Sequence, residues 1–181
     1  MPSIGDYMAA LAAWLRSTQL PEFSLWLQTQ PISAAISNNF WVIPILQTIH
    51  ILTVAGLFGS VVMINLRIFA LAGRSRTMTQ TVRRYLPWVW WGLLILLTTG
   101  IGMCIGEPTR ELINPAFWTK MALVILAVLV SLGFQASVSR DVARWETTHQ
   151  RRVGIRVAAV GVILLWCAIM VLGRWIAYAP T

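Results

Sequence analysis

FWVIPILQTIHILTVAGLFGSVVMINL, residues 40–66, is a mostly apolar stretch without a single Asp, Glu, Lys or Arg. It is longer than the about 20 apolar residues that a helix needs to cross a hydrocarbon core. Three further stretches, 88–106, 117–138 and 155–178, have the same character. Backbone polar groups in lipid are satisfied only within helices or closed barrels, and none of these stretches alternates like a barrel strand. The sequence therefore predicts an all-α integral membrane four-helix bundle.

The composition agrees with a membrane protein. Hydrophobic residues make up 57% of the chain and charged residues only 11%, whereas about a quarter of the residues in a soluble domain are charged. The net charge of +8 would suggest a nucleic-acid partner in a soluble protein, but here the basic residues follow the topology. We therefore predict the lipid bilayer, and no nucleic acid, as the partner. We find no nucleophile with its base, phosphate loop or paired carboxylates, and so no sequence case for an enzyme.

The first 38 residues differ from the rest. Ile4, Met8, Leu11 and Leu15 recur at helical spacing, and Pro21 suits the first turn of a second short helix. No basic n-region precedes an apolar core, so a cleavable signal is not predicted. We expect residues 1–38 to form amphipathic helices along the membrane surface, on the periplasmic side, and residues 39–181 to form the bundle.

The arginines predict the orientation. Ten of the fourteen basic residues fall on one side of the predicted spans. They are Arg67, Arg74, Arg76, Arg83, Arg84, Arg140, Arg144, Arg151, Arg152 and Arg156. Because cytoplasmic loops carry an excess of Lys and Arg, this side is predicted to be cytoplasmic. Both termini are then periplasmic, in the inner membrane of a bacterium.

His50 is the one ionisable side chain deep inside a predicted span. A polar group is costly in hydrocarbon, so it favours an inward-facing position and a function. At 1.5 Å per residue it lies about 15 Å below the start of its helix. Thr98 and Thr99 reach the same depth on the second span. The face predicted to point inward with His50 comprises Gln47, Thr53, Ser60 and Asn65.

Three interpretations of His50 remain open. It ties helices together through hydrogen bonds to Gln47, Thr98 or Thr99. Alternatively it ligates haem b or copper, with Met170 and Cys167 as co-ligands. A third interpretation is a proton or solute path in a small transporter or channel-like protein, in which His50 titrates.

The second histidine, His149, falls in the loop between the third and fourth spans, so a haem held by two histidines of one chain is not expected. Lys120 and Arg174 lie near the outer surface, where cations suit haem propionates. Snorkelling of both side chains to the interface is the simpler explanation. The predicted site is therefore His50 with Lys120 and Arg174 for a cofactor, and His50 with Cys167 and Met170 for a metal.

Small residues at spacings of four predict helix contacts. Gly102 and Gly106 form such a pair in the second span, and Gly154, Ala158 and Gly161 share a face of the fourth. These faces suit packing within one bundle. A homodimer, or a structural subunit in a larger membrane complex, is the alternative use of them.

Three segments resemble uncharacterised bacterial inner-membrane families of four helices, known as domains of unknown function. The segments are LQTIH (46–50) with VAGLFG (54–59), LPWVW (86–90) with TTG (98–100), and NPAFWTK (114–120). These families are distantly similar to the membrane part of the copper-resistance D family. The resemblance covers about residues 41–178 and implies a four-span bundle with a histidine on its first helix. It leaves the activity open. Relatives carry a further histidine late in the third span, where this chain has Gln135.

Overall fold

The computed structural model describes residues 3–72, 75, 77–140 and 152–176. Within these ranges the chain forms eight helices and no strand, which confirms the all-α prediction. In chain order they are α1 (Ile4–Ser17), α2 (Leu20–Gln28), α3 (Pro31–Ser37), α4 (Val42–Ile68), α5 (Met78–Gly106), α6 (Pro108–Leu112), α7 (Pro115–Arg140) and α8 (Arg152–Trp175).

The four long helices α4, α5, α7 and α8 are long and apolar enough to cross a membrane. This confirms the four predicted spans and is in keeping with a multi-pass membrane protein. The main difference lies in α5, which begins at Met78 rather than at the predicted residue 88.

The early start of α5 has a local cause at Thr77 and Gln80. The Thr77 hydroxyl accepts the Gln80 backbone N–H at 3.2 Å, and the Gln80 side chain accepts the Thr77 N–H at 3.0 Å. This reciprocal pair is a capping box, which satisfies two donors at a helix start. Pro87 then lies inside the helix instead of marking its beginning.

Some predicted features lie outside the described residues. Arg74 and Arg76 of the first basic loop are among them, as are Arg144, Arg151 and His149 of the loop before α8. The predicted end of the fourth span at residue 178 also lies outside them, and the described helix ends at Trp175.

The chain forms two compact units. Unit 1 comprises Met1–Ile51, Leu96–Ala122 and Met170–Thr181, and unit 2 comprises Leu52–Ile95 and Leu123–Ile169. The buried apolar side chains of unit 1 include Leu15, Ala116 and Ile176; those of unit 2 include Leu57, Val61, Ile64, Val82, Leu86, Val89 and Trp166. The division predicted after residue 38 stays a prediction.

The three N-terminal helices belong to unit 1. Ser3 and Asp6 form a capping box at the start of α1, and the hydrogen bonds from Ser3 hold the pKa of the Asp6 carboxyl below its ordinary value. α2 packs against α1, α3 and α6. Large apolar side chains such as Trp14, Phe23 and Trp26 stay exposed on these helices. An exposed apolar side on short helices is what the predicted interfacial segment requires.

Two glycines at the end of α5 allow close helix contact inside unit 1. A methyl group at Gly102 would lie 3.0 Å from Leu46 Cδ1. One at Gly106 would lie 2.6 Å from Ile43 Cδ1 and 2.7 Å from Ile36 Cγ2. The GxxxG spacing of α5 is therefore used for packing within the chain, one of the two uses predicted from the sequence.

Two predictions about helix faces need correction. Gln47 is exposed, although it was predicted to share the inward face of α4, whereas Ile43 and Leu46 near it are half-buried and contact α5 at Gly106 and Gly102. Ser60 and Asn65 are buried, as predicted. On α8, added methyl groups at Gly154 and Gly161 would meet nothing within 4 Å among the described residues. Those two glycines do not mediate a close contact there.

Candidate functional site

The site begins with a hydrogen bond between α4 and α5. His50 Nδ1 lies 2.8 Å from Thr99 Oγ1. His50 is eight residues from the start of α4 and Thr99 seven from the end of α5, which puts both about 10 to 12 Å along the helices from the same end of unit 1. His50 is half-buried and Thr99 is buried. The structure thus confirms Thr99 as a neighbour of His50.

The hydrogen bonds of Thr99 determine which nitrogen of His50 carries the proton. The Thr99 hydroxyl donates to the backbone carbonyl of Leu96 at 3.3 Å. A hydroxyl has one proton, so its remaining role toward His50 is that of an acceptor. This arrangement favours the tautomer with the proton on Nδ1, which leaves the lone pair on Nε2. There is room beside the ring at Gly100. A methyl group added to this glycine would lie 3.9 Å from His50 Cε1, which is an ordinary contact distance.

Lys120 on α7 brings a positive charge to this region. Its charge acts electrostatically on three other groups of unit 1, His50, Cys104 and Glu111, and these four residues are called the Lys120 cluster below. The Lys120 ammonium lies 5.4 Å from the centre of the Phe117 ring, within the range of a cation–π contact. Its aliphatic stem passes beside Gly173 on α8. A methyl group added to this glycine would lie 3.7 Å from Lys120 Cδ.

Glu111 on α6 supplies the negative charge of the cluster. Burial raises the pKa of the Glu111 carboxyl, because a charged carboxylate loses hydration there, and the charge of Glu107 raises it further. The cations Lys120 and Arg110 act in the opposite direction and are outweighed. Arg110 also forms a 2.6 Å ion pair with Glu107 at the same helix. A half-buried acid and a half-buried lysine thus act on each other electrostatically.

The segment 114–120 positions Lys120 through a set of structural contacts. Asn114 is 1% exposed; its Oδ1 accepts the Ala116 N–H at 2.9 Å, which caps α7. Its Nδ2 donates to the Ile176 carbonyl at 3.4 Å, which joins the start of α7 to the end of α8. Trp118 Nε1 donates to the Leu112 carbonyl at 2.8 Å. These bonds hold the first turn of α7, one turn before Lys120.

A family model matches residues 36–179, most of the chain, and describes a family of unknown function. The chain belongs to the DUF6644 family. No curated protein and no solved structure matches it. The expected membership in a domain-of-unknown-function family is therefore confirmed. The match shows no link with the copper-resistance D family, so that part of the resemblance is not supported.

The DUF6644 match includes His50, Thr99, Cys104, Glu111 and Lys120. It begins at Ile36 in α3, so α1 and α2 precede it. The cluster is thus part of the matched region, whereas most of the N-terminal amphipathic segment is not.

The other predicted site residues of this DUF6644 protein fall in different places. Met170 is half-buried and belongs to unit 1 with His50, as does the exposed Arg174. Cys167 is half-buried and belongs to unit 2. Within the described parts of the chain, no group of three or more His, Cys, Asp or Glu side chains is arranged to hold a metal ion.

Two residues of the cluster were not among the predicted ligands or cofactor residues. They are Glu111 and Cys104. Cys104 lies five residues after Thr99 on α5, about 140° further around the helix, so no shared helical face pointed to it. α6 is five residues long, and only its packing brings Glu111 close to Lys120.

Proposed function

We propose that this protein binds haem b as a redox cofactor in unit 1 and that His50 Nε2 would ligate the iron. The observation that supports this function is the 2.8 Å bond from His50 Nδ1 to Thr99. Histidines that bind metals usually donate their other N–H to a fixed acceptor, which sets the tautomer and the ring orientation. Thr99 provides such an acceptor. A bound haem would supply one-electron transfer.

The charge beside His50 favours haem over copper. The positive charge of Lys120 acts on His50 and would repel a bare copper cation. The same charge would attract the carboxylates of a haem, and Arg174 of the same unit is a second candidate for that role. Met170, also in unit 1, is the candidate for a further iron ligand.

We further propose that the protein lies in the bacterial inner membrane with both termini periplasmic. The excess of arginines on one side of the spans supports this orientation. His50 and Lys120 would then lie in the periplasmic half. A homodimer, or a place in a larger membrane complex, stays a prediction.

The experiment is a visible absorption spectrum of the detergent-purified protein, expressed with haem supplied. We expect a Soret band in the wild-type protein and its loss in His50→Ala. Thr99→Val keeps the shape of the side chain but removes the acceptor, and we expect a 10-fold to 100-fold loss of haem affinity. Thr98→Val is the matched control, because Thr98 is the exposed neighbour in the same turn. A wild-type protein without a Soret band would contradict the proposal.

A second candidate function is a proton or solute path through the helices. The specific observation in its favour is that the charge of Lys120 acts on ionisable groups of three helices, His50 on α4, Cys104 on α5 and Glu111 on α6. Flux through liposomes should then exceed that of empty liposomes and be abolished in His50→Ala. If neither a Soret band nor flux is found, His50 ties α4 to α5 and the protein is a structural subunit.

A further inference from the structure

We infer that a groove on unit 2 binds one anionic phospholipid. The groove has a volume of about 650 Å³ and lies between α5 and α7. Its lining includes Arg83, Pro87, Trp90, Trp91, Leu94 and Gln135. It is polar at one end and apolar along the rest. This pattern matches an amphiphile with a charged head and a hydrocarbon tail.

The position of Arg83 places the polar end at the level of lipid headgroups. Arg83 is 23 residues from the end of α5 at Gly106, which corresponds to about 35 Å of helix rise. The hydrocarbon core of a bilayer is about 30 Å thick. When α5 crosses the membrane up to Gly106, the backbone of Arg83 therefore lies just beyond the opposite hydrocarbon boundary. A guanidinium at that level meets lipid phosphates, to which it donates paired hydrogen bonds.

Gln135 on α7 reaches the same level independently. It is 20 residues from Pro115, or about 30 Å along α7, and α7 runs in the direction opposite to α5. Its amide adds both donors and an acceptor near the headgroup. Pro87 contributes further polarity, because it has no N–H and so leaves the Arg83 carbonyl without its helical donor. A headgroup that carries phosphate and hydroxyl groups suits this combination.

The apolar part of the groove has the length of one leaflet. Arg83 and Leu94 are 11 residues apart, or about 17 Å of rise, against about 15 Å for half of the hydrocarbon core. Trp91 and Leu94 are exposed along this path, and Trp90 is half-exposed. An acyl chain can therefore run the full length of the groove while its phosphate stays at Arg83. Basic pockets between membrane helices on the cytoplasmic side are known binding places for acidic lipids.

The test measures quenching of tryptophan fluorescence by phosphatidylglycerol with brominated acyl chains, added to the full-length protein in detergent. Phosphatidylcholine with the same brominated chains is the uncharged-headgroup comparison. We expect Arg83→Gln to weaken the apparent affinity for phosphatidylglycerol about five-fold, which corresponds to about 1 kcal/mol for one arginine at an anionic lipid surface. It should also remove the preference over phosphatidylcholine.

Arg84→Gln is the matched control. Arg84 is exposed on the next position of α5 and carries the same charge, but it does not line the groove. We expect its affinity to stay within two-fold of the wild type. Arg83→Lys keeps the charge and should retain the preference for the anionic lipid, which separates loss of charge from misfolding. Equal losses in Arg83→Gln and Arg84→Gln, or no preference for phosphatidylglycerol in the wild type, would overturn the inference.

A last measurement separates a lipid from a free phosphate. Glycerol phosphate carries the headgroup chemistry without the acyl chains. At a concentration at which phosphatidylglycerol saturates the groove, we expect glycerol phosphate not to displace the brominated lipid. The reason is that most of the lipid's contact with the groove is made by its acyl chain. Displacement at equal concentration would show a phosphate site and would overturn the assignment to a phospholipid.

Discussion

Gly106→Ala is the substitution that tests the helix packing of unit 1 most directly. The new methyl would lie 2.6 Å from Ile43 Cδ1 and 2.7 Å from Ile36 Cγ2, whereas carbon atoms in contact are separated by about 3.5 to 4.0 Å. The Ile43 atom is the end of a flexible side chain, but Ile36 Cγ2 is fixed by a β-branched residue on a different helix. The Ile43 side chain can rotate away, but α3 would have to move by about 1 Å at this point.

Overpacking of this kind costs about 1 to 3 kcal/mol. The higher helix propensity of alanine offsets up to about 1 kcal/mol of that. We therefore expect Gly106→Ala to destabilise the protein by about 1 to 2 kcal/mol. The matched control is Gly133→Ala on α7, where an added methyl meets nothing within 4 Å among the described residues. There only the propensity changes, and the stability should stay equal or rise.

Unfolding of each variant in mixed detergent micelles, followed by helical circular dichroism, measures the difference. Ile43→Val removes Cδ1, and in the Gly106→Ala background it should recover part of the loss. If Gly106→Ala is as stable as Gly133→Ala, α3 and α4 do not approach α5 as closely as the structure indicates, and the account of the GxxxG pair is wrong.

Three further predictions concern other contacts. Asn114→Ala leaves the Ala116 N–H and the Ile176 carbonyl without their partner, so we expect a loss of about 2 to 3 kcal/mol in the same unfolding assay, against little change for the exposed Asn39→Ala. Burial raises the pKa of the Glu111 carboxyl, so folding favours its protonated form and stability should fall as the pH rises above the ordinary value of 4.5. Glu111→Gln should then flatten the pH dependence of the melting temperature, and an unchanged slope would contradict the burial of the acid. Trp166→Phe removes a buried indole N–H for which the described structure gives no acceptor, and we expect its melting temperature to match or exceed that of the wild type.

The four spans could be predicted from the sequence because each needs only length and apolarity. The beginning of α5 could not be predicted in the same way, because ten residues with mixed polarity precede Trp88 and the sequence-based prediction gave Pro87 more weight than Thr77 and Gln80. The exposed Gln47 shows a related difficulty. The sequence predicts a helical face from the angle between successive side chains. Whether a residue on that face is buried also depends on whether a neighbouring helix extends to its position.

The site was partly predictable. A lone histidine in an apolar span is easily recognised as a candidate site residue. Its threonine neighbour can be found by counting residues to the same depth on the next helix. Lys120 was placed near the surface by its position in its span. Its closeness to Glu111 depends on how α6 packs, and no periodicity in the sequence reports on that. Tertiary contacts of short helices are the part that sequence patterns do not encode.

The segment NPAFWTK carried the most specific part of the family resemblance, and its contacts explain why such a resemblance does not by itself transfer a function. Asn114 caps α7 and joins it to α8, and Trp118 donates to the carbonyl of Leu112, the last residue of α6. Both are structural roles that any protein with this helix arrangement needs. Lys120 alone in the segment acts on the His50 cluster. The functional proposal therefore rests on His50, Thr99 and Lys120 together, since only this combination supplies a fixed imidazole with a free nitrogen beside a positive charge.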